Sequence, residues 1–173
     1  LLTPAQSEEK TLLRHTIPLS SQRFCFYKKI SNNFILNELH DFNNKRIAFV
    51  KGNNLGKEFM NYIQNEKNNI DIIQLTSSHV EFAPRVFSFL LKERVDAIAI
   101  TEDMGDYYLG RNKEVNKLVK KSFCTKKEFL QVGLNPTNLN RSKEISTILD
   151  KGLTKIKNNG IYDKILSKYY LKN

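Results

Sequence analysis

What the chain lacks narrows its function first. It has no apolar run of about 18 residues, so it offers no transmembrane-helix candidate. It has no zinc-finger spacing, basic zipper or aromatic RNA-binding motif, which removes the standard nucleic-acid readers. It has neither G-x-S-x-G nor H-E-x-x-H, so these hydrolase signatures are absent. Gly52-Asn53-Asn54-Leu55-Gly56-Lys57 falls one residue short of a phosphate-binding loop, which argues against an NTPase. Histidine is scarce. His15, His40 and His79 have no His or Cys at ligand spacing, and neither a metal nor another cofactor is expected. No internal repeat is evident. Leu1-Leu2-Thr3-Pro4 lacks a basic region followed by an apolar core; if the protein is exported, its leader is expected to have been removed.

Cysteine is also sparse. Cys25 and Cys124 each stand beside phenylalanine, far apart in the chain. They admit two readings: two buried thiols, or a single disulfide, which forms only outside the cytosol.

What is present is ordinary globular material. The 173 residues are 40% hydrophobic and 27% charged, enough for one domain or two small lobes with a core. The net charge of +10 comes from 28 basic against 18 acidic residues spread along the whole chain. The densest groups, Lys120-Lys121 and Lys126-Lys127, are short, so the charge reads as a solvated surface and no nucleic-acid partner is expected.

The apolar pattern is clearest between residues 45 and 101. Ile47–Val50 is too short for a helix and rich in strand formers; Gly52 breaks it, and a helical stripe begins at Leu55 and continues through Phe59 and Ile63. Backbone N–H groups from Asn53 onward then stand at a helix N-terminus, where an anion is favoured. A second strand covers Ile70–Leu75. A second helix carries Pro84 in its first turn and Phe82, Val86, Phe89 and Leu90 on its buried face. Asp96–Ile100 is apolar on nearly every residue, as a parallel strand covered on both faces should be. Strand, helix, strand, helix, strand requires a parallel sheet. Glu102 and Asp103 follow its third strand, either as a helix-capping pair or as a carboxylate facing a ligand's cation across from Gly52. Elsewhere, Phe24–Tyr27 and Phe129–Leu134 read as strands. Ile145, Ile148, Leu149, Leu153 and Ile156 mark an amphipathic helix capped at Asn158-Asn159-Gly160, and a last helix spans Ile161–Leu171.

Gly52 after its strand, Val95-Asp96-Ala97 and Asn159-Gly160-Ile161-Tyr162 occur in an order and spacing that resemble the family 3 extracellular solute-binding proteins, which have the type 2 periplasmic-binding-protein fold. The resemblance covers residues 3 to 171. It implies an α/β protein of two lobes with a parallel-sheet core and two crossover segments, Phe24–Lys28 and Phe129–Leu134. Residues 1–28 would be a remnant of the first lobe and the first crossover, 29–128 the second lobe, and 129–173 the second crossover and returning helices. The first lobe would lack about two strands and helices of the family pattern, so the chain is expected to be a truncated product, a fragment or a divergent member, and to bind weakly or not at all by itself. Self-association through the incomplete lobe is a further expectation.

The function implied is capture of a small polar ligand, an amino acid or related compound, for transport or sensing in the periplasm or outside the cell, with a membrane transporter or sensor as partner. No enzymatic activity is implied. Two alternatives share the fold: a dehydratase or murein-degrading enzyme, for which Glu102 is the acid/base candidate, and the effector-binding part of a transcription regulator. The family's carboxylate-clamping Thr-x-x-Arg would fall near Thr3–Lys10, where Gln6 takes the strict place and Lys10 is the displaced candidate. Asn53 and Asn54 replace its helix-start Thr/Ser pair. Its ligand-amine aspartate aligns with Thr101, beside Glu102. The expected ligand contacts are therefore Lys10, Gly52, Asn53, Asn54, Thr101 and Glu102.

Overall fold

The computed structural model describes residues 12–76 and 82–168. The chain divides into two compact units, residues 1–22 with 127–173, and residues 23–126. Strands β1 (Leu13–Arg14) and β2 (Ser20–Gln22) come first. The second unit then runs β3 (Phe24–Lys29), β4 (Arg46–Val50), α1 (Lys57–Gln64), β5 (Asp71–Leu75), α2 (Phe82–Leu91), β6 (Ala97–Thr101), α3 (Glu102–Arg111), the single turn α4 (Lys113–Asn116) and β7 (Val119–Cys124). β8 (Glu128–Leu130), β9 (Gly133–Leu134), α5 (Leu139–Asn158) and α6 (Ile161–Leu166) complete the first unit.

The five-stranded sheet of residues 23–126 has the order β5-β4-β6-β3-β7. β4 runs parallel to both β5 and β6, as the strand–helix alternation requires. β3 is antiparallel to β6 and to β7, so the sheet as a whole is mixed. The two compact units divide at 22/23 and at 126/127. Residues 24–29 form one strand, paired on both sides. Hydrogen bonding to two neighbours and burial of Phe24 through Tyr27 tie it to this unit.

Period-two alternation sorts the strand side chains into two cores. On one face Cys25, Tyr27, Ala48, Ile98 and Ile100 pack with α2 and Leu109 of α3. On the other, Phe24, Phe26, Ile47, Phe49, Ala97 and Ala99 pack with Phe59 of α1 and with Leu36, Phe42 and Leu55. Both faces are covered, which is why β6 reads as an unbroken apolar run. The second core is aromatic: Phe26 lies 4.6 Å from Phe42 and 4.7 Å from Phe59, ring centre to ring centre. Ala97 and Ala99 leave room for these rings. On the first face Gly105 performs a similar service, since a Cβ there would lie 2.3 Å from the Tyr27 hydroxyl. Only glycine lets α3 lie this close to a fully buried tyrosine.

Several elements differ from expectation. α1 starts at Lys57, not Leu55, because Gly52 (φ 86°) and Gly56 (φ 96°) hold the intervening chain out of helix; Leu55 is buried from a loop. In α2 the buried residues are Phe82, Ala83, Val86, Phe87 and Leu90; Phe89, expected inside, is only partly buried. The stretch after Asp103, expected as a short segment, is the ten-residue α3. The basic stretch after it contains edge strand β7, with Lys120 and Lys121 exposed, a common defence of a sheet edge. Phe129–Leu134 is split: β8 pairs with β2, and β9 with β1.

In the unit of residues 1–22 and 127–173, polar ties hold the chain before β2 to the helices. Asp150 of α5 accepts from the backbone N–H of Thr16 at 2.9 Å and of Ile17 at 2.7 Å. Tyr162 donates its hydroxyl to Leu19 O at 2.9 Å. His15 is buried; its Nε2 accepts from Val132 N–H at 2.8 Å, so its proton sits on Nδ1, 3.4 Å from Asp150. Of the α5 residues expected inside, Leu153 is buried and Ile148 is 59% exposed. Tyr169 of the expected last helix lies outside the described residues.

Candidate functional site

The carboxyl edge of the parallel strands carries five of the six expected contacts. Ile47 stands opposite Ala97, and Ala48 opposite Ile98, with the strands parallel. The chain therefore leaves β4 and β6 on the same edge, which places Gly52, Asn53 and Asn54 beside Thr101 and Glu102. Lys10 and His79 lie outside the described residues.

The glycine turn is built differently from the helix start expected there. Asn53 donates its N–H to Val50 O at 3.0 Å, closing the turn. Asn54 Oδ1 accepts from Gly56 N–H at 3.0 Å. The Asn53 amide is thus already engaged, and the first-turn amides of α1 belong to residues 57–59. Gly52 is set by its backbone alone: a Cβ there would meet nothing within 4 Å, but its φ of 86° lies in the left-handed region.

Glu102 opens α3, and Asp103 follows in the same first turn, where carboxylates favour the helix dipole. Thr101, the N-cap residue, makes no side-chain capping bond. The Glu102 carboxylate is held by Arg23 in a two-pronged pair, both contacts 2.6 Å, and by Lys121 at 3.0 Å. Lys121 also reaches Asp106 at 2.7 Å, and the Tyr27 hydroxyl donates to the other Asp106 oxygen at 3.1 Å. The hydrogen bond from Arg23 holds the Glu102 carboxyl down to about 2, against the pull of partial burial. Burial, followed by the Asp106 carboxylate, pushes the Tyr27 phenol well above its usual range. Two cations and two carboxylates offset one another, so Glu102 is fully engaged by groups of this chain. Arg23, Asp106 and Lys121 escaped the sequence reading because they come from distant places, the link between β2 and β3, helix α3 and strand β7; only the fold gathers them.

Cys25 and Cys124 face each other across β3 and β7 and are joined, with an S–S distance of 2.06 Å. Glu102 lies close by: its carboxylate and the two sulfurs are within 4.8 Å of one another. With both sulfurs spent in the bond, this cluster is no ligand set for a soft metal.

The charge cluster makes stability depend on pH. Glu102 has a folded-state pKa below its ordinary 4.5, so its contribution is present above that value and is lost as pH falls toward about 2. Discounted for the partly exposed Arg23, it amounts to roughly 2 kcal/mol near neutrality. Urea unfolding at pH 7 and at pH 2.5 should show Glu102→Gln destabilised at the higher pH and nearly equal to the parent at the lower. An equal loss at both would exclude the ionic account.

No family model matches the chain, and no curated protein does. Solved structures do. An ancestral arginine-binding protein bound to arginine superposes with a TM-score of 0.73 at 18% identity, over 98% of this chain and 68% of that one. A mutant of ArgBP from T. maritima gives 0.70 at 14%, over 97% and 65%. A putative L-cystine ABC transporter protein from Listeria monocytogenes gives 0.68 at 19%, over 94% and 64%. The fold is the type 2 periplasmic-binding-protein fold. The chain spans about two thirds of the length of these structures.

Proposed function

We propose that this chain is a solute-binding protein that captures a small polar ligand, an amino acid or related compound, and delivers it to a membrane transporter or sensor outside the cytosol. The observation that carries this reading is the common edge of β4 and β6, on which the glycine turn after β4 and Thr101–Glu102 after β6 both leave the sheet. The neighbours of similar fold described as binding arginine or glutamine support the ligand class. The Cys25–Cys124 disulfide supports an oxidising compartment. Lys10 is retained as a proposed carboxylate contact.

The charge balance at the edge narrows the ligand. A cationic group would meet Glu102 only after displacing Arg23 and Lys121, so the reading favours a ligand bound by neutral polar groups here. The enzyme alternative is disfavoured by the same geometry. A carboxyl held near 2 and doubly ion-paired is a poor proton donor or acceptor at neutral pH.

Titration of the isotopically labelled chain with arginine, glutamine and cystine, followed by NMR, tests the proposal. At least one should shift the amides of residues 52–54 and 101–102 with a dissociation constant of about 1 mM or tighter. Replacing Gly52 by valine, which cannot hold the turn, should abolish those shifts. A panel that leaves these amides unmoved would sink the reading.

A further inference from the structure

The opposite edge of the same sheet holds a second polar feature. β3 runs against β6, with Phe24 opposite Thr101 and Tyr27 opposite Ile98, so Lys28 lies at the end of the sheet away from Glu102. Here β3, β7 and the loop after β3 enclose a hollow of about 420 Å³, within the size range of small-molecule sites. Two lysines, three asparagines, a serine and four apolar residues line it, and none of them is acidic.

Lys28 makes the hollow unusual. Its side chain is on a central strand and the residue is only 2% exposed. Its ammonium donates to Asn32 O at 2.7 Å and to Phe34 O, and stands 4.5 Å from the centre of the Phe34 ring. All three partners are neutral. Four other cations at this sheet do have carboxylates: Arg23 and Lys121 have Glu102, Lys29 has Glu93, and Arg46 has Asp96. Lys120, which lines the same hollow, forms no ion pair among the described residues, and Lys45 stands 5.3 Å from the Phe34 ring. Asp41, the nearby carboxylate of the loop, is turned to the backbone N–H groups of Asn37 and Glu38. A buried ammonium beside another cation, with no carboxylate partner among the described residues, is costly, and burial together with Lys120 lowers the proton affinity of Lys28.

An anion would relieve this. Asn33 and Asn37 offer amide donors at the rim, and Ile30 and Ile35 are 50% and 63% exposed there. We propose that this hollow binds an oxyanion, a carboxylate or phosphate head attached to an apolar body, with the head toward Lys28 and Lys120 and the body against Ile30 and Ile35. The site is separate from the edge that carries Gly52 and Glu102, and its test does not depend on the ligand proposed there.

The labelled full chain is titrated with octanoate, with octanol as the uncharged control, and with inorganic phosphate as the head alone. Octanoate should shift the amides of Lys28, Asn33, Asn37 and Lys120 while those of residues 52–54 stay in place. Octanol should bind much more weakly. Lys120→Glu, on an exposed edge position, should weaken octanoate about tenfold, the loss expected for one charge-assisted contact. Lys28→Met should abolish the octanoate shifts; if that variant fails to fold, Asn33→Asp on the exposed loop supplies the second reading, again with weaker octanoate binding. Vesicles with and without phosphatidylglycerol then distinguish the source: Lys120-dependent binding to the anionic vesicles points to a lipid head group, and octanoate binding without vesicle binding points to a free amphiphile. Unmoved amides with both octanoate and phosphate, or equal binding of octanol and octanoate, would overturn the proposal.

Discussion

Removing the Cys25–Cys124 disulfide should lower stability by about 4 to 5 kcal/mol, or on the order of 10 °C in melting temperature for a chain of this size. The bond joins residues 99 apart in sequence and so closes almost the whole of the 23–126 unit into one loop. Its loss releases a large amount of unfolded-chain entropy. It also loosens a particular element. Among the described residues β7 is an edge strand paired with β3, and Cys124 is the residue through which it is covalently tied to that partner. The double alanine variant, and the parent treated with reductant, should unfold at matching lower temperatures in calorimetry. The parent should regain its original value after reoxidation. A change of only about 2 °C in the double variant would show that the paired strands alone hold this edge.

The second large effect belongs to the aromatic core. Phe26 is fully buried on β3, with Phe42, Phe59 and Phe123 around it at 4.6, 4.7 and 5.7 Å. Phe26→Ala should cost about 3 to 5 kcal/mol, combining lost transfer energy with a cavity that rigid neighbouring rings cannot refill. Phe26→Leu should cost less, because it keeps more of the volume. Urea unfolding at equal slope measures both. A small loss in the alanine variant would mean that these rings repack and that the core is looser than its ring geometry implies.

How much was legible in the sequence follows from where the information lies. Ile47–Val50 and Asp96–Ile100 announce themselves because strands covered on both faces need continuous apolar residues, whereas Ile70–Leu75, an edge strand with Asp71 and Gln74 exposed, is marked by its isoleucines. Their parallel order follows from the intervening helices. α3 is harder to see: Met104, Tyr108 and Leu109 share it with Gly105 and charged residues, and Gly105 earns its place only through Tyr27. β7 is hidden for a related reason. Its outward lysines protect an edge, and nothing local says that an edge is present. At the candidate site, the shared edge of residues 52–54 and 101–102 follows from strand order, whereas the engagement of the Asn53 amide and of the Glu102 carboxylate does not.

Apolar periods and the glycine after β4 suffice, without coordinates, to specify parallel strands alternating with helices between residues 45 and 101, because they depend on backbone geometry and on burial one residue at a time; the type 2 binding-protein fold was implied by the family that the landmark residues resemble. The pairing of Cys25 with Cys124, the clamp of Arg23 and Lys121 on Glu102, and the burial of Lys28 beside Lys120 at the far end of the sheet depend on groups distant in the chain meeting at fixed distances. Charges and thiols carry no periodic signal, so only the folded sheet decides which of them become neighbours.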